Sequence, residues 1–296
     1  MSPAVKGTLT VHPLQPTIGA EIRGIDLREP LSDETRDEIK KVLLQYKVLF
    51  FRDQDIGRKE QAAFAARFGQ LYIHPMSKGA EDEPAVHRVA VDDYRIPDKA
   101  LKDSGHDTSG LTAPTVRRSG RPTWDGYHTD TSWRLVPTWG AVLRAVVLPE
   151  VGGDTIWVDA NLAYESLEDD VQKRLERLNV AHDFRFAIRG AGLYYPLVAH
   201  PVVRTHRETG QKILWVNYSH NPSIVGMDRG ESNEILTLIS DAYRKPEHQV
   251  RFSWRPGSVV FWDNRATVHY GVNNYNNAPR LLERVLIGDE PLYRDL

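Results

Sequence analysis

Val250-Arg251-Phe252-Ser253-Trp254, then Arg255-Pro256-Gly257, then Ser258-Val259-Val260-Phe261-Trp262: this stretch decides the fold class. Its two arms are dense in β-branched and aromatic side chains, which suit a pleated, half-buried strand better than a helix. Between them proline presets one φ angle and glycine accepts a positive one, so the chain turns. Similar runs stand at residues 141–148, 155–158, 213–216 and 284–287, and Gly152-Gly153 supplies a second break. Short strands at this density predict a mainly β protein with flanking helices and a double-layered β core.

Working outward, a 3.6-residue period marks the helices. Ser32 is placed to cap one that reaches about Tyr46, with Ile39, Val42, Leu43 and Tyr46 on its buried face. A second is expected over 59–68, stopped by Gly69, and others over about 160–179 and 231–244, the last with Leu236, Ile239, Ala242 and Tyr243 on one side. Residues 48–51 read as a strand. Over 92–124 the apolar period is broken by Pro97, Gly105, Gly110, Pro114, Gly120 and Pro122, which predicts a long loop. Loops of that length in a compact domain often cover a site.

No linker or internal repeat interrupts the 296 residues, so one elaborated domain over 1–296 is expected. Basic and acidic residues balance at 38 and 40, a net charge of −2, which gives no electrostatic reason to expect a nucleic-acid or membrane partner. No leader-like start and no long apolar run are found, so a cytoplasmic protein is expected. The absence of cysteine excludes disulfides, thiol catalysis and thiolate metal sites. Any metal must be held by His, Asp or Glu.

One segment offers such ligands. In Tyr127-His128-Thr129-Asp130 an imidazole and a carboxylate stand two apart, and on an extended chain such positions share a face. His269 follows much later, in Trp262-Asp263-Asn264-Arg265-Ala266-Thr267-Val268-His269. Two imidazoles and one carboxylate leave half of an octahedral ion open, which suits non-heme Fe(II). The same side chains also fit a zinc-dependent hydrolase, or a surface or core histidine with no metal at all. Arg280 and Arg284 lie shortly beyond His269, and a planar guanidinium fork in a cavity is a natural partner for a carboxylate.

These stretches together resemble the TauD/TfdA-type (taurine dioxygenase) family. The resemblance rests on Ile18-Gly19-Ala20-Glu21-Ile22, Val48-Leu49-Phe50-Phe51-Arg52, Phe68-Gly69, Ile73-His74-Pro75, Tyr127-His128-Thr129-Asp130, Gly152-Gly153-Asp154-Thr155, His200-Pro201-Val202-Val203-Arg204, Trp262-Asp263-Asn264-Arg265 and Arg280 with Arg284. It implies a double-stranded β-helix, or jelly roll, with Fe(II), 2-oxoglutarate as cosubstrate and O2. It makes His128, Asp130 and His269 the iron ligands. Arg280 pairs with the distal carboxylate of 2-oxoglutarate, and the Thr155 hydroxyl bonds the same group. The reaction implied is oxidative decarboxylation to succinate and CO2 with hydroxylation of a substrate, followed by C–S or C–O cleavage where the new hydroxyl shares its carbon with a heteroatom. Asp130 argues against the halogenating variant, in which that carboxylate is replaced by a small residue.

On the substrate side the resemblance assigns His74 and Arg284 to an anionic head: a sulfonate, sulfate ester or carboxylate. The taurine amine contacts fall on Ser77 and Trp124, which speaks against taurine itself. Trp124 and Tyr127, with Tyr94, Trp133, Tyr194 and Tyr195, are expected to wall a larger or aromatic substrate, and His220 falls at a substrate-lining position. The alternative within the class is oxidative tailoring of an amino-acid-derived or aromatic carboxylate. A homo-oligomer, dimer or tetramer, is the remaining expectation.

Overall fold

The computed structural model describes residues 9–74, 80, 82–90, 126–185, 196–275 and 278–288. Its large sheet runs in the order β1 (Thr10–Pro13), β2 (Ala20–Arg23), β3 (Val48–Phe51), β14 (Val259–Asp263), β6 (Gly140–Val147), β16 (Leu281–Ile287) and β4 (Leu71–Tyr72), with β5 (Val86–Ala90) also paired to β16. A smaller sheet has the order β13 (Gln249–Phe252), β7 (Thr155–Asp159), β15 (Thr267–Gly271). Side chains of the two meet in one apolar cluster: Val48, Phe50, Leu143, Val260, Trp262, Leu282 and Leu286 pack with Trp157, Val250 and Phe252. This is the double-layered jelly-roll core expected from the strand pattern.

Successive residues of a strand serve opposite faces. In β3, Val48 and Phe50 enter the inter-sheet core, whereas Leu49 and Phe51 pack under the helices α1 (Asp33–Tyr46) and α2 (Arg58–Ala66), against Ile39, Leu43, Phe64 and Ala65. Burial on both faces explains the unbroken apolar run Val-Leu-Phe-Phe. Ser32 accepts from the Thr35 amide to cap α1, as expected. The Pro256-Gly257 turn, by contrast, makes no hairpin. β13 and β14 belong to different sheets, and the turn carries the chain between them, with the Gly257 carbonyl accepting from the Gln54 amide at 2.8 Å.

The helix expected over 160–179 is two short helices and the start of a strand: α3 (Ala160–Glu165), α4 (Asp169–Leu175) and β8 (Asn179–His182). Val180 and Ala181 are captured by pairing with β9 (Val198–Pro201) and β12 (Ser223–Ile224), a tertiary demand that local periodicity does not reveal. β10 (Val203–Thr205) and β11 (Lys212–Leu214) form a further hairpin. α5 (Arg229–Arg244) opens on a capping box between Asp228 and Glu231 and lays Ile235, Leu236, Ile239, Ala242 and Tyr243 on a third cluster with Val158, Trp215 and Val268. The 92–124 cover loop expected from sequence, which includes Tyr94 and Trp124, lies outside the described residues, as do Ser77, Tyr194 and Tyr195. Among those that are described, no helix is long and apolar enough to cross a membrane.

Candidate active site

His128 and His269 are bound to each other through their backbones. The His128 amide donates to the His269 carbonyl at 2.9 Å and the His269 amide returns the bond at 2.7 Å, an isolated antiparallel bridge between remote segments. Residues that exchange both bonds project their side chains to one face, and the two imidazole centroids stand 4.1 Å apart. Asp130 joins them by way of Asn264. The Asn264 Oδ1 accepts from the Asp130 amide (2.8 Å) and from the Thr129 hydroxyl (2.9 Å), while its Nδ2 donates to the carbonyls of Asp130 (2.9 Å) and Thr138 (3.0 Å). This amide side chain stands in for a missing strand. Just past Asp130 the chain reverses through Thr131 at φ +56°, a rare conformation for a β-branched residue, held by its hydroxyl, which accepts from the Thr138 amide and bonds the Thr138 hydroxyl.

Asn217 supports the same segment from the other side, donating to the Thr129 carbonyl and to the Ser132 hydroxyl, each at 2.8 Å. Asp263 fastens the adjoining strand end by bonding the Arg265 guanidinium (2.9 and 2.5 Å) and the His206 ring (3.1 Å). Trp262-Asp263-Asn264-Arg265 is thus a brace behind the site.

One potential ligand atom from each of His128, Asp130 and His269 lies within 4.8 Å of the others, and this is the one such group found among the described residues. The His128 Nδ1 bonds the Gly126 carbonyl at 2.8 Å, and since a carbonyl only accepts, the proton sits there and Nε2 presents a lone pair. Burial pushes both imidazoles below their ordinary pKa and keeps them neutral. Burial would raise the Asp130 carboxyl, but the permanent charge of the Arg284 guanidinium beside it brings it below its ordinary value. Its Oδ2 is buried and has no hydrogen-bond partner, a costly state that a cation relieves. Neutral imidazoles, an ionised carboxylate and an orphaned oxygen fit a divalent ion.

Arg280, just before β16, is buried. Its Nε donates to the Gly153 carbonyl at 3.0 Å and its Nη2 lies 3.5 Å from the Thr155 hydroxyl, which also accepts from the Trp254 indole at 3.0 Å. Gly153 sits at φ +74° and a Cβ there would meet the Arg280 Nε at 3.0 Å, so this glycine lets the arginine lie close. Desolvation lowers the Arg280 pKa, yet a guanidinium stays charged at any working pH. No carboxylate among the described residues bonds it. A buried cation in that state calls for an anion.

On β16 itself, Arg284 donates from Nη1 to Asp130 Oδ1 at 2.5 Å. His74 lies beside it: burial and then Arg284 lower its pKa to about 4. The His74 ring is 5.2 Å from His87, 5.8 Å from Trp133 and 6.2 Å from Phe184. Trp133 and Phe184 stack at 4.5 Å, and Phe184 meets the His220 ring at 4.7 Å. Burial and the nearby His128 bring the His220 pKa down to about 4. His74, His220, Trp133 and Arg284 thus gather on one side of the triad. Tyr127 does not: its ring packs against Tyr243 and Tyr270 and its hydroxyl accepts from Gln249. His87, Phe184, Asn217 and Asn264 carry no role in the sequence reading. Asn264 lay inside a quoted motif, but the others become visible only through pairing.

A metal gripped from one side implies a reaction that uses the other, and a buried guanidinium nearby implies a ligand with a carboxylate to spare. Within a jelly roll, the class that meets both demands is the Fe(II)- and 2-oxoglutarate-dependent dioxygenases, with O2 as oxidant. The chain belongs to the family described as "Taurine catabolism dioxygenase TauD, TfdA family", which matches residues 10–286. It is similar to an alkylsulfatase of Acinetobacter baylyi (31% identical, covering 95% of this chain and 86% of the relative). It is also similar to the (S)-phenoxypropionate/alpha-ketoglutarate-dioxygenase of Sphingobium herbicidovorans (31%, covering 91% and 90%). A crystal structure of a taurine dioxygenase from Burkholderia xenovorans superposes with a TM-score of 0.78 at 32% identity, covering 97% of this chain and 93% of that one.

Proposed function

We propose that the enzyme hydroxylates a small organic anion, a sulfonate, sulfate ester or carboxylate, with C–S or C–O cleavage where the hydroxylated carbon bears sulfur or oxygen. The observation that carries this reading is the bond of Arg284 to the carboxylate of the triad, with His74 near enough to feel the charge of both. In it His128, Asp130 and His269 hold the iron, and Arg280 with Thr155 receives the distal carboxylate of 2-oxoglutarate. Bound iron, 2-oxoglutarate and O2 supply the oxidation, with succinate and CO2 as co-products.

The chain's own part is placement. Arg284 spans the gap between Asp130 and the substrate, so the anion is anchored one guanidinium away from the metal's carboxylate. Trp133 and Phe184 stack into an apolar wall beside His74. That wall, with the named relative that acts on phenoxypropionate, also supports an aromatic carboxylate as the second reading. A zinc hydrolase would leave Arg280 without a task.

The test is spectroscopic. Under anaerobic conditions Fe(II) plus 2-oxoglutarate is expected to give the weak visible charge-transfer band of a chelated keto acid, and His128→Ala to abolish it. A metal-loaded wild type with no band would sink the ligand assignment. We further take residues 1–296 as one catalytic unit acting in the cytoplasm on a small molecule, without nucleic acid or membrane, and assembling as a dimer or tetramer. The balanced charge supports the partner reading. Light scattering that returned a monomer would end the assembly reading.

A further inference from the structure

β5 brings a further imidazole to the substrate side. In the pairing of β5 with β16, His87 stands directly opposite Arg284, as Val89 stands opposite Leu282. Directly opposed residues project to one face, and residues two apart on a strand share it. Leu282, Leu286 and Val89 all belong to the inter-sheet core, so His87 and Arg284 point into the same interior. The His74 ring lies against His87 there, at 5.2 Å and a tilt of 31°.

Two nitrogens of this pair are buried without a hydrogen bond: His87 Nδ1 and Arg284 Nε. Among the described residues Arg284 commits only its Nη1, to Asp130. The Arg284 Nε and the His87 Nδ1 are therefore buried polar atoms on neighbouring strands with no hydrogen-bond partner among the described residues. Most buried polar atoms in folded proteins are bonded, and an unbonded pair that faces a binding site is a place where a ligand's oxygens can bond.

The geometry of the ligand follows from the donors. A carboxylate offers two coplanar oxygens, which one guanidinium edge can satisfy. A sulfonate or sulfate ester adds a third oxygen outside that plane, and this oxygen needs a donor from another residue. We propose that His87 is a third donor to the substrate head group, beside Arg284 and His74, and that it makes the site selective for an R–SO3⁻ head over a carboxylate. This rests on the reading of Arg284 as the substrate's anchor. It assigns the substrate class to sulfonates and sulfate esters and gives β5 a part in specificity.

The experiment is calorimetric titration of the anaerobic Fe(II) and 2-oxoglutarate-loaded enzyme with hexanesulfonate, hexyl sulfate and heptanoate. The wild type is expected to bind both sulfur oxyanions more tightly than heptanoate. His87→Leu should weaken them by about 10- to 100-fold, the value of one buried hydrogen bond to a charged group, and move heptanoate by less than about 2-fold. His87→Gln, which keeps an N–H donor, should recover part of the loss. Unchanged 2-oxoglutarate binding in each variant reports an intact site. Equal losses for all three ligands, no loss for any, or a wild type that prefers heptanoate would overturn the proposal while leaving the anionic-substrate reading in place. Failure of every anion to bind a 2-oxoglutarate-loaded wild type would remove that reading, and the proposal with it. If His87→Leu does not fold, the wild-type ranking and His87→Gln decide.

Discussion

Arg280 and Arg284 carry the same group into two different settings. Arg280 is buried beside Gly153 and Thr155 with no bonded carboxylate among the described residues, whereas Arg284 already holds Asp130. Their loss should therefore be felt by different ligands. Arg280→Ala is expected to raise KM for 2-oxoglutarate by at least about 10-fold, the usual size of a lost charged hydrogen bond, with little change in substrate KM. Arg284→Ala should do the opposite, and steady-state kinetics showing the reverse pattern would mean that the two roles are exchanged. The triad and both arginines were legible in the sequence because residue type and order along the chain carry them. His87 was not. Its importance depends on standing opposite Arg284 across a sheet, and that register joins segments nearly two hundred residues apart in sequence.

At the level of elements, the site is a strand end and a loop sewn together by side chains. Asn264 makes four side-chain bonds to Thr129, Asp130 and Thr138, so Asn264→Ala strips the Asp130 amide and carbonyl of their partners in a buried place. A loss of about 3 kcal/mol or more is expected in urea unfolding, together with weaker Fe(II) binding. A variant that kept full stability and metal affinity would contradict the bracing role. The long strands of both sheets were readable from their β-branched and aromatic runs, and α1 from its cap and period. Over 160–179 the local period predicts one helix, whereas the strand that begins at Asn179 depends on pairing with β9 and β12. The turn at Pro256-Gly257 was read correctly as a turn, yet nothing local says that it crosses between sheets.

Several histidines across the described residues are held neutral by burial. His200, nearly inaccessible and bonded to the Arg134 carbonyl, is lowered to about 4 by desolvation, and His220 likewise. An unfolded histidine takes up its proton near pH 6.5, well before these do, so their contribution is complete above pH 6.5 and is lost as the pH falls from there to about 4. The loss for His200 alone is about 2 kcal/mol between pH 7 and pH 5. Asp263, lowered by its Arg265 and His206 partners against the effect of burial, has the opposite window: its stabilisation disappears only below the ordinary carboxylate range. Urea unfolding at the two pH values should therefore show a clear decrease, and His200→Gln should reduce it. Equal stability at pH 7 and 5 would refute the assignment. The bridge between His128 and His269 has a thermodynamic consequence of its own. Two of the three ligands are set in register by backbone bonds, before any ion arrives, so metal uptake orders little chain and buries little new apolar surface. Such binding carries almost no change in heat capacity, in contrast to metal sites that fold around their ion, and its enthalpy should stay nearly constant with temperature.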